Sequence, residues 1–420
     1  MHHFQYINDE LFCEEVPVSK VAQEVGTPFY LYSHATLQKH YRVFDNAFAG
    51  IKHLTCFSMK ANSNLAILKL FACEGGGVDI VSGGELYRAL KAGVKPEKIV
   101  YSGVGKQAED IEYALKSDIL MFNVESAQEI LTLNNLAKGL GKKARIAIRA
   151  NPDVDPKTHP YISTGLKENK FGIDINEAPE LYTMAAGMEN LWVSGVSCHI
   201  GSQLTELSPF VDALRKLTQL IEGLEEAGIH INYLDLGGGL GITYDREEPP
   251  DPIEYASAIK DELGVSDLTL ILEPGRVIVG NAGILVTRVL YTKSPNEKTF
   301  FIVDAAMNDL MRPSLYDSYH AIQPVRIAYR EIVKADIVGP ICESGDFFAK
   351  ERDVESLEVG ELAAIMSAGA YGFSMSSNYN SRPRACEVMV KGDRFYTIRA
   401  RETFEDLVKG EMIPGFMMDE

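Results

Sequence analysis

The chain has 420 residues, 46% of them apolar and 24% charged, the balance of a globular protein large enough for two domains, one of which could be a large barrel. Its 41 lysines and arginines face 59 aspartates and glutamates, a formal net charge of −18, which argues against polyanionic partners such as nucleic acid or an anionic membrane surface and leaves small metabolites open. The six cysteines are scattered with no C-x-x-C pair, which excludes a zinc ribbon and thioredoxin-type chemistry.

The opening stretch "MHHFQYINDELFCEEV" is acidic and interrupted where a signal peptide would carry a basic segment and then an apolar one, and nowhere do 18 apolar residues run together. The expectation is a cytoplasmic protein with reduced thiols and no membrane contact. After an extended "FYLYS" at 29–33, short apolar runs alternate with amphipathic stretches. Strands are expected at 53–60, 78–81, 99–103, 119–124, 145–150, 193–200, 231–236 and 268–273. Between them, leucine, alanine and isoleucine recur at helical spacing over 64–73, 84–92, 107–116, 126–139, 176–189, 208–226 and 252–262. Each crossover is long enough for parallel pairing, so the pattern predicts an α/β fold, a (β/α)8 TIM-type barrel, with an open doubly wound sheet as the alternative.

From about residue 285 the texture changes to β-rich runs with little helical periodicity, and Gly392-Asp393 between strand formers reads as a hairpin. The expected organisation is a barrel at 35–284 and a mostly β domain from 1–34 and 285–420. One connection is anomalous: the long segment after the fifth strand, 151–173, contains "NPDVDPKTHPYISTGLKENKFGI". Loops of that length in a compact domain are often functional lids.

Barrel enzymes gather reactive residues at the carboxyl ends of their strands, and this sequence does so. The first strand ends on Lys60, the second reaches Asp79, the sixth ends in "CHIGSQ" with His199 and Ser202, the seventh ends in "LDLGGGLG", and the eighth ends in "LEPGR" with Glu273, Pro274, Gly275 and Arg276. Backbone N–H groups of Gly237, Gly238 and Gly239 can cradle a phosphate, although the G-x-G-x-x-G spacing and a Walker lysine are both absent. Taken singly, each side chain has a plainer role: an ion pair for Glu273 with Arg276, a helix cap for Asp79, a satisfied histidine for His199. Together they suggest pyridoxal 5′-phosphate. The Lys60 amine can bond to its aldehyde, the glycines and Ser202 can take the phosphate, His199 can lie against the ring, and a Glu273 carboxylate can keep the pyridine nitrogen protonated.

The stretches "SMKANSN", "HPYISTGLKENKFGI", "CHIGSQ", "LDLGGGLG", "EPGR", "DAAMNDLMRPSLYDSYH", "GPICESGD" and "GAYGFSMSSNYNSRPR" cover nearly the whole chain. Through them it resembles the diaminopimelate decarboxylase family, fold-type III pyridoxal 5′-phosphate enzymes that also include alanine racemase and eukaryotic-type ornithine decarboxylase. The resemblance implies decarboxylation of meso-2,6-diaminopimelate to L-lysine and CO2, the last step of lysine biosynthesis. Lys60 would carry the cofactor, His199 stack on it, Ser202, Gly237–Gly239 and the Gly275–Arg276 backbone hold its phosphate, Glu273 face its nitrogen, and Asp79 and Tyr371 lie close by. Ser58 and Met59 depart from the tyrosine and alanine or valine that often precede the family lysine, a change expected to leave Lys60 untouched.

Diaminopimelate carries an ammonium and a carboxylate at its distal end, so its pocket needs partners of both signs. The resemblance places Arg276, Arg312, Tyr316, Glu343 and Tyr371 around the substrate. It also implies a homodimer in which the "CESGD" loop reaches the neighbouring barrel, with Cys342 delivering a proton to the carbon that loses CO2; a small buried thiol is the plain alternative for that cysteine. The alternative is a related decarboxylase for lysine, ornithine, arginine or a carboxylated polyamine precursor, and the Arg312 and Glu343 pair is the discriminator: an ornithine-type substrate ends in an ammonium only and has no use for Arg312. An alanine racemase would place arginine at the pyridine nitrogen, and a non-catalytic carrier or inhibitor would lack the β domain, the lysine or the cysteine.

Overall fold

The computed structural model describes residues 2–155, 170–295 and 298–417. Most of the expected rim segment at 151–173, including residues 156–169, therefore lies outside the described residues. Internal contacts divide the chain into two compact units, 36–281 and 1–35 with 282–420.

The first unit is built from β1 His53–Ser58, α1 Leu65–Cys73, β2 Gly77–Ile80, α2 Gly83–Ala92, β3 Ile99–Tyr101, α3 Ala108–Lys116, β4 Met121–Val124, α4 Ala127–Gly139, β5 Ala144–Asn151, α5 Ala178–Ala186, β6 Leu191–Ser197, α6 Ser208–Glu226, β7 Tyr233–Asp235, α7 Pro252–Leu263 and β8 Thr269–Leu272. Every neighbouring pair of strands is parallel. Two pairings exclude the open-sheet alternative: Leu270 opposes His53, which joins β8 to β1, and Phe122 opposes Ile146, which joins β4 to β5 and closes the eight strands into a barrel. Cys56, Val100, Leu120, Met121, Ala147 and Ile271 form an apolar cluster within it.

Helix starts set where each rim loop ends. The Asn64 side chain accepts the Ala66 N–H at 2.9 Å, Ser82 caps α2 through Glu85, Ser126 caps α4 through Glu129, and Asp251 with Glu254 forms a capping box ahead of Pro252. These short polar residues bond N–H groups that a first helical turn leaves unpaired, so the polar cap in the sequence becomes the point where the chain leaves the rim.

The second unit is mostly β. Its main sheet is mixed: Phe29–Ser33, buried throughout, pairs antiparallel with Gly283–Lys293 and parallel with Cys386–Lys391. The hairpin at Gly392-Asp393 joins Cys386–Lys391 to Arg394–Arg399. No helix among the described residues is long and apolar enough to cross a membrane.

Candidate active site

Strand β1 stops at Ser58 rather than Lys60, because Met59–Ala61 turn into a 3₁₀ helix that carries the lysine over the rim. Lys60 does not simply extend to water: its Nζ lies 3.2 Å from Asp79 Oδ2, and the aspartate side chain is fully buried while the lysine's is 34% exposed. Ser58 Oγ lies 3.1 Å from the same Asp79 oxygen and 2.9 Å from the Glu273 carbonyl oxygen, and its single proton serves one of them at a time. The departure at Ser58 is thus linked to Lys60 through a shared carboxylate oxygen.

Asp79 is one of three buried acids here, with Asp235 at the end of β7 and Glu273 just past β8. Asp235 Oδ1 accepts the Gly237 N–H at 2.9 Å, its Oδ2 accepts from Asn123 Nδ2 at 2.8 Å, and a further hydrogen bond joins it to Glu273. Burial pushes Asp235 up to about 6 against the pull of those bonds. Burial first, and then the Asp235 and Asp79 charges, push Glu273 well above the usual carboxylate range, with Lys60 opposing. Burial thus favours the protonated form of Glu273. Its Oε1 and Asp79 Oδ1 are buried with no hydrogen-bond partner among the described residues, an arrangement that costs roughly 1–3 kcal/mol per atom and marks where a ligand's donor fits.

His199 follows β6. Its Nδ1 accepts the Gly238 N–H at 3.2 Å, which leaves the ring proton on Nε2. Burial, then the Lys60 and Arg149 charges, hold the imidazole well below its ordinary value, so the ring is neutral.

Glycine is required in the run after β7 by close packing. A Cβ on Gly238 would fall 2.2 Å from the Glu273 carbonyl oxygen, and one on Gly237, whose φ is +66°, would fall 2.6 Å from that of Cys198. The strand ends can therefore converge. Two of the three N–H groups expected to face a phosphate, those of Gly237 and Gly238, are engaged by Asp235 and His199; those of Gly239 and Gly275 have no partner among the described residues. Pro274 gives its carbonyl to the Ser58 N–H at 3.1 Å. Gly275 leads into the short helix Arg276–Val279, and buried Arg276 donates to Ser202 Oγ at 3.0 Å and to the Tyr244 hydroxyl at 2.7 Å.

The remaining candidates belong to the β unit. Arg312 opens the short helix Arg312–Tyr316, which also carries half-buried Tyr316. Arg312 is buried and donates to His320 Nε2 at 2.9 Å and to Ser318 Oγ at 3.3 Å. His320 Nδ1 gives its proton to the Met366 carbonyl at 2.8 Å, so Nε2 is free to accept. Cys342 and Glu343 are exposed on a loop whose backbone is fixed by Asp346, which accepts the N–H groups of Ile341 and Met307 at 2.7 Å, and by Asn380, which accepts that of Cys342 at 2.9 Å. Tyr371 is half-buried with a φ of +55°.

Sequence reasoning passed over Asn123, Asp235, Tyr244 and Arg149. The last is buried, bonds Glu125 Oε1 at 3.2 Å and the His199 carbonyl at 3.3 Å, and so braces the loop end that bears the imidazole. The available signal was a polar residue inside an apolar strand, as in "MFNV", "YLDL" and "IAIRA".

Residues 34–280 match the family described as pyridoxal-dependent decarboxylase, pyridoxal binding domain. The chain is 53% identical over 413 residues to a diaminopimelate decarboxylase of Pseudomonas aeruginosa, with 98% of this chain and 99% of that one covered. It is 52% identical over 408 residues to one of Aquifex aeolicus, with 97% of each covered. The crystal structure of the Helicobacter pylori diaminopimelate decarboxylase complexed with L-lysine matches with a TM-score of 0.90 at 48% identity, covering 93% of this chain and 98% of that one. The M. jannaschii enzyme in co-complex with L-lysine matches with a TM-score of 0.94 at 39% identity, covering 99% and 100%.

Proposed function

The chain belongs to the diaminopimelate decarboxylase family of pyridoxal-dependent decarboxylases, and from that premise we propose which of its residues carry the reaction. The protein is a carboxy-lyase that converts meso-2,6-diaminopimelate to L-lysine and CO2 with pyridoxal 5′-phosphate as cofactor. The observation that carries the assignment is the set at the barrel rim: the Lys60 amine 3.2 Å from the buried Asp79 carboxylate, beside a buried Glu273 carboxyl with an unpartnered oxygen.

This donor set fits the cofactor. Lys60 offers the amine for covalent attachment, and Asp79 holds that amine over the rim. Glu273 offers Oε1 to the N–H of the pyridine ring, and neutral His199 presents a flat face without a competing charge. Ser202, Gly239, Gly275 and the Arg276 backbone take the phosphate, while Gly237, Gly238 and Pro274 shape the loops that bring them together. When bound, pyridoxal 5′-phosphate supplies an electron sink for the pair left on Cα as CO2 departs.

For the substrate's distal end, Arg312 with Arg276, Tyr316 and Tyr371 receives the carboxylate, and Glu343 receives the ammonium. Burying either charge unpaired is costly, so this pairing selects a substrate that bears both. Cys342 gives its thiol proton to the substrate carbon. Because Cys342 and Glu343 are exposed on a loop whose backbone is fixed, we take the working form to be a homodimer in which this loop completes the neighbouring copy's site. Six free cysteines favour a reducing compartment, the cytoplasm.

Incubating the purified protein with pyridoxal 5′-phosphate and meso-diaminopimelate should release CO2 and L-lysine in equal amounts. Release of CO2 from L-lysine or L-ornithine, with none from meso-diaminopimelate, would overturn the substrate assignment.

A further inference from the structure

Two separate sets of contacts hold the loop of Cys342 and Glu343. The first closes the loop on itself and on the helix Arg312–Tyr316: Asp346 Oδ2 accepts the Ile341 N–H at 2.7 Å, Ser314 Oγ donates to the Gly345 carbonyl at 2.5 Å, and Glu343 Oε1 accepts the Gly345 N–H at 3.3 Å. The second comes from another part of the β unit, the stretch "SSNYNSRPR" at 376–384, in which Asn380 Oδ1 accepts the Cys342 N–H at 2.9 Å.

Asn380 belongs to a turn that is itself cross-linked. Asn378 Nδ2 donates to the Arg382 carbonyl at 3.1 Å and to Glu402 Oε2 at 2.6 Å, while Asn308 donates to the Ser377 carbonyl at 3.3 Å and accepts from Arg382 Nε at 3.2 Å. Asn380 and Ser381 have φ of +56° and +53°, left-handed backbone that asparagine adopts more readily than most side chains. Asn380 is exposed, so its carboxamide packs against no core. What remains for it is the bond to Cys342.

We propose that Asn380 is a positioning residue for Cys342: its carboxamide, carried on a rigid turn, fixes the backbone from which the thiol reaches the substrate carbon. The inference rests on the proposed reading that Cys342 gives its proton to that carbon. An exposed N–H would otherwise bond to water and leave the residue free to shift, and a proton donor displaced by a fraction of its reach loses much of its rate. Glu343, tied to Gly345 by the first set of contacts, stays in place without Asn380. The two reactive side chains of one loop are thus positioned independently.

The test separates the acceptor from the backbone conformation by steady-state rates of the holoenzyme on meso-diaminopimelate. Asn380→Gly keeps the left-handed turn and loses the acceptor, whereas Asn380→Asp keeps both. Asn380→Gly should lower kcat by about tenfold with KM nearly unchanged, because the hold on Glu343 is intact. Asn380→Asp should stay within about threefold of the wild-type rate. In the Cys342→Ala background, Asn380→Gly should not lower the residual rate further, since a residue that acts only through the thiol has nothing left to position. A wild-type kcat in Asn380→Gly, an equal loss in Asn380→Asp, or the same fold-loss with and without Cys342 would each overturn the proposal and leave the Cys342 reading standing. A wild-type rate in Cys342→Ala alone would remove that reading and the proposal with it.

Discussion

At the barrel rim, Lys60, Asp79, Asp235 and Glu273 are held by one another: their side chains are bonded or charge-coupled, and burial raises Asp235 and Glu273 above the ordinary carboxylate range. In the β unit, the loop bearing Cys342 and Glu343 is organised the other way. Asp346 and Asn380 fix its backbone while its two reactive side chains stand exposed. The difference separates two tasks. A site that must keep a cofactor in one protonation state benefits from a dry, mutually locked cluster, because low-dielectric surroundings strengthen each coupling. A group that must meet substrate and deliver a proton needs a fixed backbone and an accessible tip.

The comparison breaks most visibly if both regions serve one site supplied by two chains. Lys60→Ala and Cys342→Ala proteins should each be nearly inactive, while an equimolar mixture allowed to exchange subunits should recover about a quarter of wild-type activity, since mixed dimers carry one intact site. Absence of recovery despite demonstrated exchange would assign Cys342 to its own chain's site or to none.

The next largest effect concerns the distal charges. Arg312→Met should lower kcat/KM for meso-diaminopimelate by about 30-fold to several thousand-fold, corresponding to roughly 2–5 kcal/mol for an unpaired buried charge. The visible band of the bound cofactor should be unchanged, and binding of L-ornithine should be little affected. An unaltered rate on meso-diaminopimelate would refute the role of Arg312.

The locked cluster should also leave a signature in the pH dependence of the apoprotein. Folding raises Asp235 from 3.8 to about 6, so the folded state binds this proton more tightly than the unfolded one. The associated stabilisation is complete below about pH 4 and is lost as pH rises through about 6, on the order of 3 kcal/mol in all. The urea midpoint should fall across that window, and the fall should be shallower in Asp235→Asn.

The smallest expected effect is that of Ser58→Ala, which removes one hydroxyl from between Asp79 and Glu273. It should cost about 1 kcal/mol of stability and change kcat by less than about tenfold, measured by the urea midpoint and by steady-state rates.

Most of the barrel was legible because its signals are local. Alternating apolar runs and Ser, Asn or Asp caps position the strands and helices to within a few residues. The exceptions have physical reasons. The expected strand at 53–60 ends at Ser58 because the chain turns inward to bring Lys60 to Asp79, and the expected strand at 193–200 ends at Ser197 because Cys198 and His199 pack against the glycine run. The residues expected at the rim could be read one at a time from strand ends. Asn123 and Asp235 could not, because their significance is a contact across the barrel between β4 and β7, which neither period nor spacing encodes. Arg149 was hidden for the same reason: its partners Glu125 and His199 lie 24 and 50 residues away in the chain.

The most direct test of the assignment is to load the protein with pyridoxal 5′-phosphate, reduce it with borohydride and map the modified peptide. A single cofactor-bearing lysine at Lys60 is the result expected from the cluster it forms with Asp79 and Glu273. Labelling of a different lysine, with Lys60 unmodified, would contradict it.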